Sequence, residues 1–275
     1  MSKKYRKKDL VELEDGLPAR RVKEWFREKH RLLGEYVRMF AGPRSRWDHS
    51  FFADLYCDYG RCVDAESGEV CDGSTLVALK AMRGTGKEFS RVYINDLNKD
   101  AVEACAARCL AEGFEVIPLN LDAAEAVKEI AATAPKKSLN LAFLDPFSLG
   151  SLPFDIIARL SDIGKTDIMA HVSVFDLHRN FGRFNDLSLD GLDRFAPGWR
   201  EAYDESASLD ENRRAAIEHW TRLLQGRGYL PNDRWKNFPE HGPLVYRLVL
   251  MARAEIALKF WSGALHAAPQ RSFNF

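Results

Sequence analysis

Apolar positions change their period along the chain, and the change falls near residue 46. Before it, Val22, Trp25, Phe26, Leu33, Tyr36, Val37 and Phe40 recur at helical spacing. Pro18, behind Asp15 and Gly16, suits the first turn of that helix, and Gly42-Pro43 closes it. Beyond it, short apolar runs at 50–56, 91–95, 114–118, 139–144 and 167–174 read as strands. They alternate with helical segments at 74–83, 98–112, 123–133 and 153–163. Each connection is long enough for a helical crossover, so the strands are expected to be parallel and the crossovers right-handed. The pattern predicts an α/β fold with a doubly wound, mostly parallel sheet of the Rossmann kind.

From about residue 176 the alternation fades into FDLHRNFGRFNDLSLDGLDRF, the start of a helical, loop-rich insertion reaching about residue 228. It contains an amphipathic helix around 210–225 that ends at Gly226 and Gly228. Leu244 to Met251 reads as another strand and 254–265 as a helix. Periodicity leaves open whether the late strands pair as an antiparallel edge. The expected organisation is a basic N-terminal arm and helix over 1–46, then one α/β domain over 47–275 carrying the insertion about 176–228.

Composition narrows the class. A chain of 275 residues with 46% hydrophobic content can bury a sizeable core. No apolar segment approaches the roughly 20 residues that cross a bilayer, and MSKKYRKK lacks the apolar region of a secretory signal. A cytoplasmic protein without membrane contact is expected. The 5 cysteines are read as thiols rather than a disulfide framework, and the spacing of Cys57, Cys62 and Cys71 matches neither a zinc nor an iron–sulfur pattern. No metal is expected. Formal net charge is zero, but Lys and Arg exceed Asp and Glu over the first 46 residues. Such an arm could approach the phosphates of a nucleic acid, whereas overall neutrality argues against strong sequence-independent affinity.

Chemistry is expected outside the carboxyl ends of the parallel strands, at the switch point beside the first of them. The stretch DLYCDYGRC follows strand one, bringing Asp54, Tyr56, Cys57, Asp58 and Gly60 to that end. Asp96 follows strand two, Asn120 and Asp122 follow strand three, and Asp145-Pro146-Phe147 follows strand four. An acid after strand two is suited to accept hydrogen bonds from ribose hydroxyls, and an amide or carboxylate after strand three can meet an adenine amino group. Each acid alone is equally a turn former or helix cap, with Asp96 and Asp122 placed to cap the helices that follow them. Asp145 stands between LAFL and Pro146, where a methyl acceptor would meet such a cofactor, and D-P-F-S is similar to the D-P-P-Y loop of amino-methyltransferases without its second proline.

Taken together these motifs resemble those of the three-Cys-motif partner proteins (TcmP) over nearly the whole chain. The likeness runs through Asp15-Gly16-Leu17-Pro18, Asp54 to Gly60, Asp72-Gly73-Ser74-Thr75-Leu76, Asp96-Leu97-Asn98, Phe143 to Ser148, Arg179-Asn180, Lys259-Phe260-Trp261 and the QRSF near the end. The resemblance implies a class I S-adenosylmethionine-dependent methyltransferase fold, that cofactor, and a partner carrying the three-cysteine motif. Under it, Asp145, Pro146 and Phe147 form the catalytic loop. Asp54, Tyr56, Cys57, Asp58, Gly60, Asp96, Asn120 and Asp122 hold the cofactor. The resemblance supplies no acceptor; the D-P-P-Y likeness and the basic arm lead to the expectation of a nucleic acid or nucleobase-like one. Asp58 departs from the family's A-G-P-G, where glycine lets backbone amides approach the cofactor. Asp is among the few other residues that accept left-handed angles.

Several other features are better read structurally. The tryptophans of the N-terminal helix and of the region after 195 could stack on bases but are commoner as core. His171 and His178 flank strand five and could serve as acid or base, although core or surface histidines are commoner. Gly84-Thr85-Gly86-Lys87 lacks the rest of a phosphate loop, and no G-x-G-x-x-G is present for a dehydrogenase. Two classes remain: a methyltransferase, and a catalytically inactive protein of that fold acting as a binding partner of a three-Cys-motif protein.

Overall fold

The computed structural model describes residues 9–23, 25–181, 190–238 and 244–267. The chain opens with a β-hairpin of β1 (Leu10–Glu12) and β2 (Pro18–Val22), and helix α1 (Trp25–Arg44) follows. Strand β3 (Phe51–Asp54) begins the main sheet. A second hairpin, β4 (Arg61–Asp64) and β5 (Val70–Asp72), separates it from α2 (Ser74–Arg83). Next come β6 (Arg91–Asn95), α3 (Lys99–Ala111), β7 (Ile117–Leu119), α4 (Ala123–Thr133), β8 (Leu139–Leu144), α5 (Phe154–Ser161) and β9 (Lys165–Ser173). The remainder holds α6 (Val174–Asn180), α7 (Gly191–Phe195), α8 (Leu209–Gly226), β10 (Lys236–Phe238), β11 (Tyr246–Met251) and α9 (Glu255–His266).

The main sheet runs in the order β10-β11-β9-β8-β3-β6-β7. Five strands, β7, β6, β3, β8 and β9, are mutually parallel. β11 is antiparallel to β9, and β10 to β11, so the last strand in sequence lies inside the edge rather than on it. The antiparallel edge left open by periodicity therefore exists.

Alternation along the strands builds a core on each face. Phe52, Leu141 and Phe143 point to one side, with Tyr36, Val37 and Phe40 of α1, Leu79 of α2, Cys105 of α3 and Trp261 of α9. Phe51, Ala53, Ala142 and Leu144 point to the other, against Ile130 of α4, Ile157 of α5, Phe195 of α7 and Trp220 of α8. Trp199, Trp220 and Trp261 are buried, so those rings are core and form no stacking surface. Among the described residues no helix is long and apolar enough to cross a membrane.

Two expectations change. Pro18 does not start a helix: it is the first residue of β2, paired with Glu12, and α1 begins only at Trp25. Proline's fixed φ suits the opening of a strand as well as that of a helix, and PARRV is too charged to betray itself by alternation. Strand three, expected over 114–118, is Ile117–Leu119, because Phe114 is drawn into the core beneath the end of α3. The basic residues 1–8 and the QRSF segment lie outside the described residues, as does the side chain of Asn180.

A second sheet of four strands, β1-β2-β4-β5, was not evident from the sequence. β2 runs parallel to β4, so the N-terminal hairpin pairs with the hairpin that interrupts the first βα connection. Arg108 of α3, 2% exposed, joins the pieces. Its Nε and Nη2 donate to the two Asp15 carboxylate oxygens at 2.8 and 2.9 Å. Nη2 also donates to the Leu17 carbonyl at 3.0 Å, and Nη1 to the carbonyls of Pro18 and Tyr59 at 2.9 and 2.7 Å. Removing the buried guanidinium takes the closest cation from Asp15 and strips a donor from the Pro18 and Tyr59 carbonyls. Arg108→Met is expected to lower unfolding stability by about 3–5 kcal/mol, on the scale of breaking a buried pair, checked by urea denaturation at neutral pH.

Candidate functional site

The carboxyl ends of β3, β6, β7 and β8 lie at one edge of the parallel sheet, where the crevice of such sheets takes ligands, and Arg20 of the second sheet reaches over it. Asp54, last residue of β3, is fully buried. Its Oδ2 accepts hydrogen bonds from the Ser74 and Thr75 hydroxyls at 2.6 and 2.8 Å, and Oδ1 accepts the Tyr56 N–H at 3.3 Å. Burial pushes this carboxyl up to about 7, with the hydroxyls and amide opposing. Asp54 thus fastens the loop to the start of α2, with its carboxylate fully enclosed.

The loop after it is held largely through its backbone. Cys57 is buried and donates its N–H to the Asn95 carbonyl at 2.9 Å; its thiol donates to the Asp58 carbonyl. Burial pushes the thiol far up. Asp58 adopts φ +47°, the left-handed conformation that the glycine of the family motif would provide, and gives its N–H to Asp96 Oδ2 at 3.3 Å. Tyr59 turns out of the crevice, buried against Ala101 and Ala104, where its hydroxyl accepts from the Asn98 amide at 2.9 Å. Gly60, at φ +74°, has no alternative: a Cβ there would lie 2.9 Å from the Cα of Cys105. The Tyr56 hydroxyl donates to the Ser151 carbonyl, bridging the loops after β3 and β8.

Asp96, at the end of β6, is 4% exposed and accepts the Asn98 N–H at 2.9 Å as well as that of Asp58. Burial pushes it up to about 6. The helix cap beside it is Asn98, which accepts from the Asp100 N–H, so Asp96 is not used as a cap. Asn120 is exposed, and its amide donates to the carbonyls of Asp96 and Leu97 at 2.9 and 3.1 Å, bracing the second loop. Asp122 caps α4 by accepting the Ala124 N–H at 3.0 Å. Asp58, Asp96 and Asn120 are therefore brought together, while Asp54 and Asp122 serve helices.

Across the crevice, Asp145 sits at the end of β8 with Pro146 buried behind it and Phe147 62% exposed. One carboxylate oxygen pairs with Lys29 of α1, the other lies 2.9 Å from Nδ1 of His171 on β9. Burial alone would raise its pKa, but the Lys29 charge and the His171 hydrogen bond hold it well below the usual carboxylate range. The imidazole stands edge-on to Tyr246 at 4.1 Å between centroids. His171 Nε2 and the Tyr246 hydroxyl are enclosed without a partner among the described residues. Arg20 of β2 links the two walls: its Nε and Nη2 donate to Asp58 at 2.7 and 3.1 Å, and its guanidinium lies 5.7 Å from the rings of both Tyr59 and Phe147.

Arg20, Lys29 and Tyr246 were not among the residues expected here, and His171 had been weighed only as a flanking histidine. One signal was legible. Lys29 lies three residues after Phe26 and four before Leu33, a charge on the apolar stripe of α1. Arg20 carried none, since its place depends on pairing between distant strands. Among the described residues no group of His, Cys, Asp and Glu could hold a metal.

No family model matches the chain, and no curated protein does. Solved structures do. Protein LPL1258 from Legionella pneumophila, of the DUF519 family, is 10% identical over 86% of this chain and 91% of its own, with a TM-score of 0.50. Magnesium protoporphyrin IX methyltransferase from Synechocystis, solved with bound SAM, is 14% identical over 83% and 82%, with a TM-score of 0.41. A ribosomal protein L11 methylase from Lactobacillus delbrueckii is 11% identical over 79% and 77%, with a TM-score of 0.37. At such identities the likeness concerns fold alone: with its mostly parallel sheet of seven strands between two layers of helices, this chain is a Rossmann-like α/β protein, as the likeness to LPL1258 bears out.

Proposed function

We propose that the chain is an S-adenosylmethionine-dependent methyltransferase of the three-Cys-motif partner kind, acting on nucleic acid or a nucleobase-like acceptor. The supporting observation is the apposition, across one crevice, of the Asp58–Gly60 backbone and Asp96 with the Asp145 loop. The residues present fit the cofactor: each Asp96 oxygen accepts one backbone N–H and keeps a lone pair for a ribose hydroxyl, and Gly60 removes the Cβ that would crowd the loop. Arg20 would meet an amino-acid carboxylate at the mouth, in competition with Asp58. When bound, S-adenosylmethionine supplies a methyl group already activated on a sulfonium, so the chain's part is positioning.

Asp145, held ionised, would accept a hydrogen bond from an acceptor N–H, and the exposed Phe147 ring offers a face on which a planar base can stack. Asp145 in turn is braced by His171 Nδ1, whose ring packs edge-on against Tyr246 and fixes the carboxylate's orientation.

A second reading is favoured by the same ion pairs. Both Asp145 oxygens already have protein partners, and the Arg20–Asp58 pair spans the mouth. Under that reading the fold serves as a partner surface for a three-cysteine-motif protein and no longer transfers methyl groups.

Isothermal titration of the full chain with S-adenosylmethionine and its demethylated product separates the two. Saturable heat is expected, and Asp96→Ala is expected to weaken binding about tenfold or more, the scale of a hydrogen bond to a charged group. Because protonation removes the acceptor, affinity should fall as pH drops through about 6. No heat from a folded sample would leave the partner reading.

Lys29→Met leaves a half-buried carboxylate with His171 alone, and at pH 7 is expected to cost about 1–3 kcal/mol, below the scale of breaking a fully buried pair. The Asp145 pKa is depressed on folding, so its stabilisation is full above about pH 4 and fades on further acidification. The deficit of the variant, read by denaturation, should shrink over that acid range.

A further inference from the structure

A cavity of about 260 Å3 lies at the opposite end of the main sheet from the crevice, between α1, α9 and the first residues of β8 and β9. Its walls are Tyr36, Phe40, Trp47, Leu139 and Phe260, and Ile256, 48% exposed, stands at the mouth. Within this apolar lining sits one carboxylate, that of Asp167, 8% exposed. It accepts a single hydrogen bond, from the Tyr36 hydroxyl at 2.8 Å on Oδ2, and closes no ion pair among the described residues. The neighbouring cations do not supply one. Lys165 is exposed at the rim, and Arg253 donates Nη2 to the Arg227 carbonyl with its guanidinium over the Tyr229 ring.

An acid buried among hydrocarbons with one donor for two oxygens is costly unless something completes its shell. Burial accordingly pushes Asp167 up to about 7, against the opposing effects of Tyr36 and Arg253. The space has the size for an organic molecule: a cavity of about 150 Å3 already accepts benzene, and this one leaves room for a short substituent. Aromatic walls around a carboxylate suit a cation with an apolar body.

We propose that this cavity binds a small primary amine carried on an aromatic ring or a branched hydrocarbon chain, its ammonium donating to Asp167 and its apolar body filling the space between α1 and α9. The site is independent of the crevice and of any methyltransferase activity. An ammonium gains a charge-assisted hydrogen bond to Asp167 and holds that carboxyl ionised, which neither a neutral nor an anionic head can do.

The test uses the full chain and 2-phenylethylamine, with 2-phenylethanol and 3-phenylpropionate as matched probes, titrated by ligand-observed NMR or calorimetry. The amine is expected to saturate and to bind at least about tenfold more tightly than either of the others, the scale of one charge-assisted hydrogen bond. Asp167→Asn, which keeps the shape and the Tyr36 hydrogen bond, should remove that preference. Ile256→Arg, at an exposed position, should block entry without unfolding the protein, and it carries the test should Asp167→Asn fail to fold. Equal binding of the three probes, an amine affinity unchanged in both variants, or no saturation by the amine would overturn the proposal.

Discussion

The buried guanidinium of Arg108 is the constraint on which the arrangement of the crevice depends. Its donors reach Asp15 and the Leu17 and Pro18 carbonyls on the N-terminal turn, and the Tyr59 carbonyl on the loop after β3. A charge taken out of water must be bonded in several directions at once, which leaves those two segments little choice of position. Because the turn is held, β2 lies beside β4 and Arg20 reaches Asp58 across the mouth. Because β2 is held, α1 leaves it at a fixed place and carries Lys29 to Asp145. A helix on the far side of the loop thus sets the electrostatics of both walls.

Those electrostatics show one residue type in three states. Asp54, Asp96 and Asp145 all close parallel strands of one sheet. Asp54 and Asp96 receive hydrogen bonds from neutral groups only, and burial raises them to about 7 and about 6. Asp145 has a cation on one oxygen and an imidazole on the other, and it is lowered. The difference is whether the neighbour carries charge, since hydroxyls and amides do not repay desolvation in full. The two ends of the crevice therefore differ in proton affinity, raised at Asp96 by burial and lowered at Asp145 by Lys29 and His171.

Much of the fold was legible from residues alone. The five parallel strands, the helices that cross between them and the late strand β11 follow from period, length and the turn residues between them, all of which are local. The strand ends could be inspected for chemistry because a parallel sheet places ligands there whatever its sequence. Asp58 was likewise readable as a residue able to take the glycine's left-handed backbone, and its φ of +47° agrees with that reading.

The second sheet was not legible, nor were the partners of the acids. Strands of 3 to 5 residues such as PARRV and RCVD carry too few alternations to signal themselves, and β2 finds β4 only across some forty residues of intervening chain. Sequence by itself determined which residues end the strands and which backbone conformations they can adopt, because both are decided within a few bonds. Tertiary structure alone decided that Asp54 serves α2, that Arg20 bridges to Asp58, that Lys29 neutralises Asp145 and that Asp167 faces a cavity with one donor. Charge and desolvation depend on neighbours in space, and those neighbours come from elements far apart along the chain.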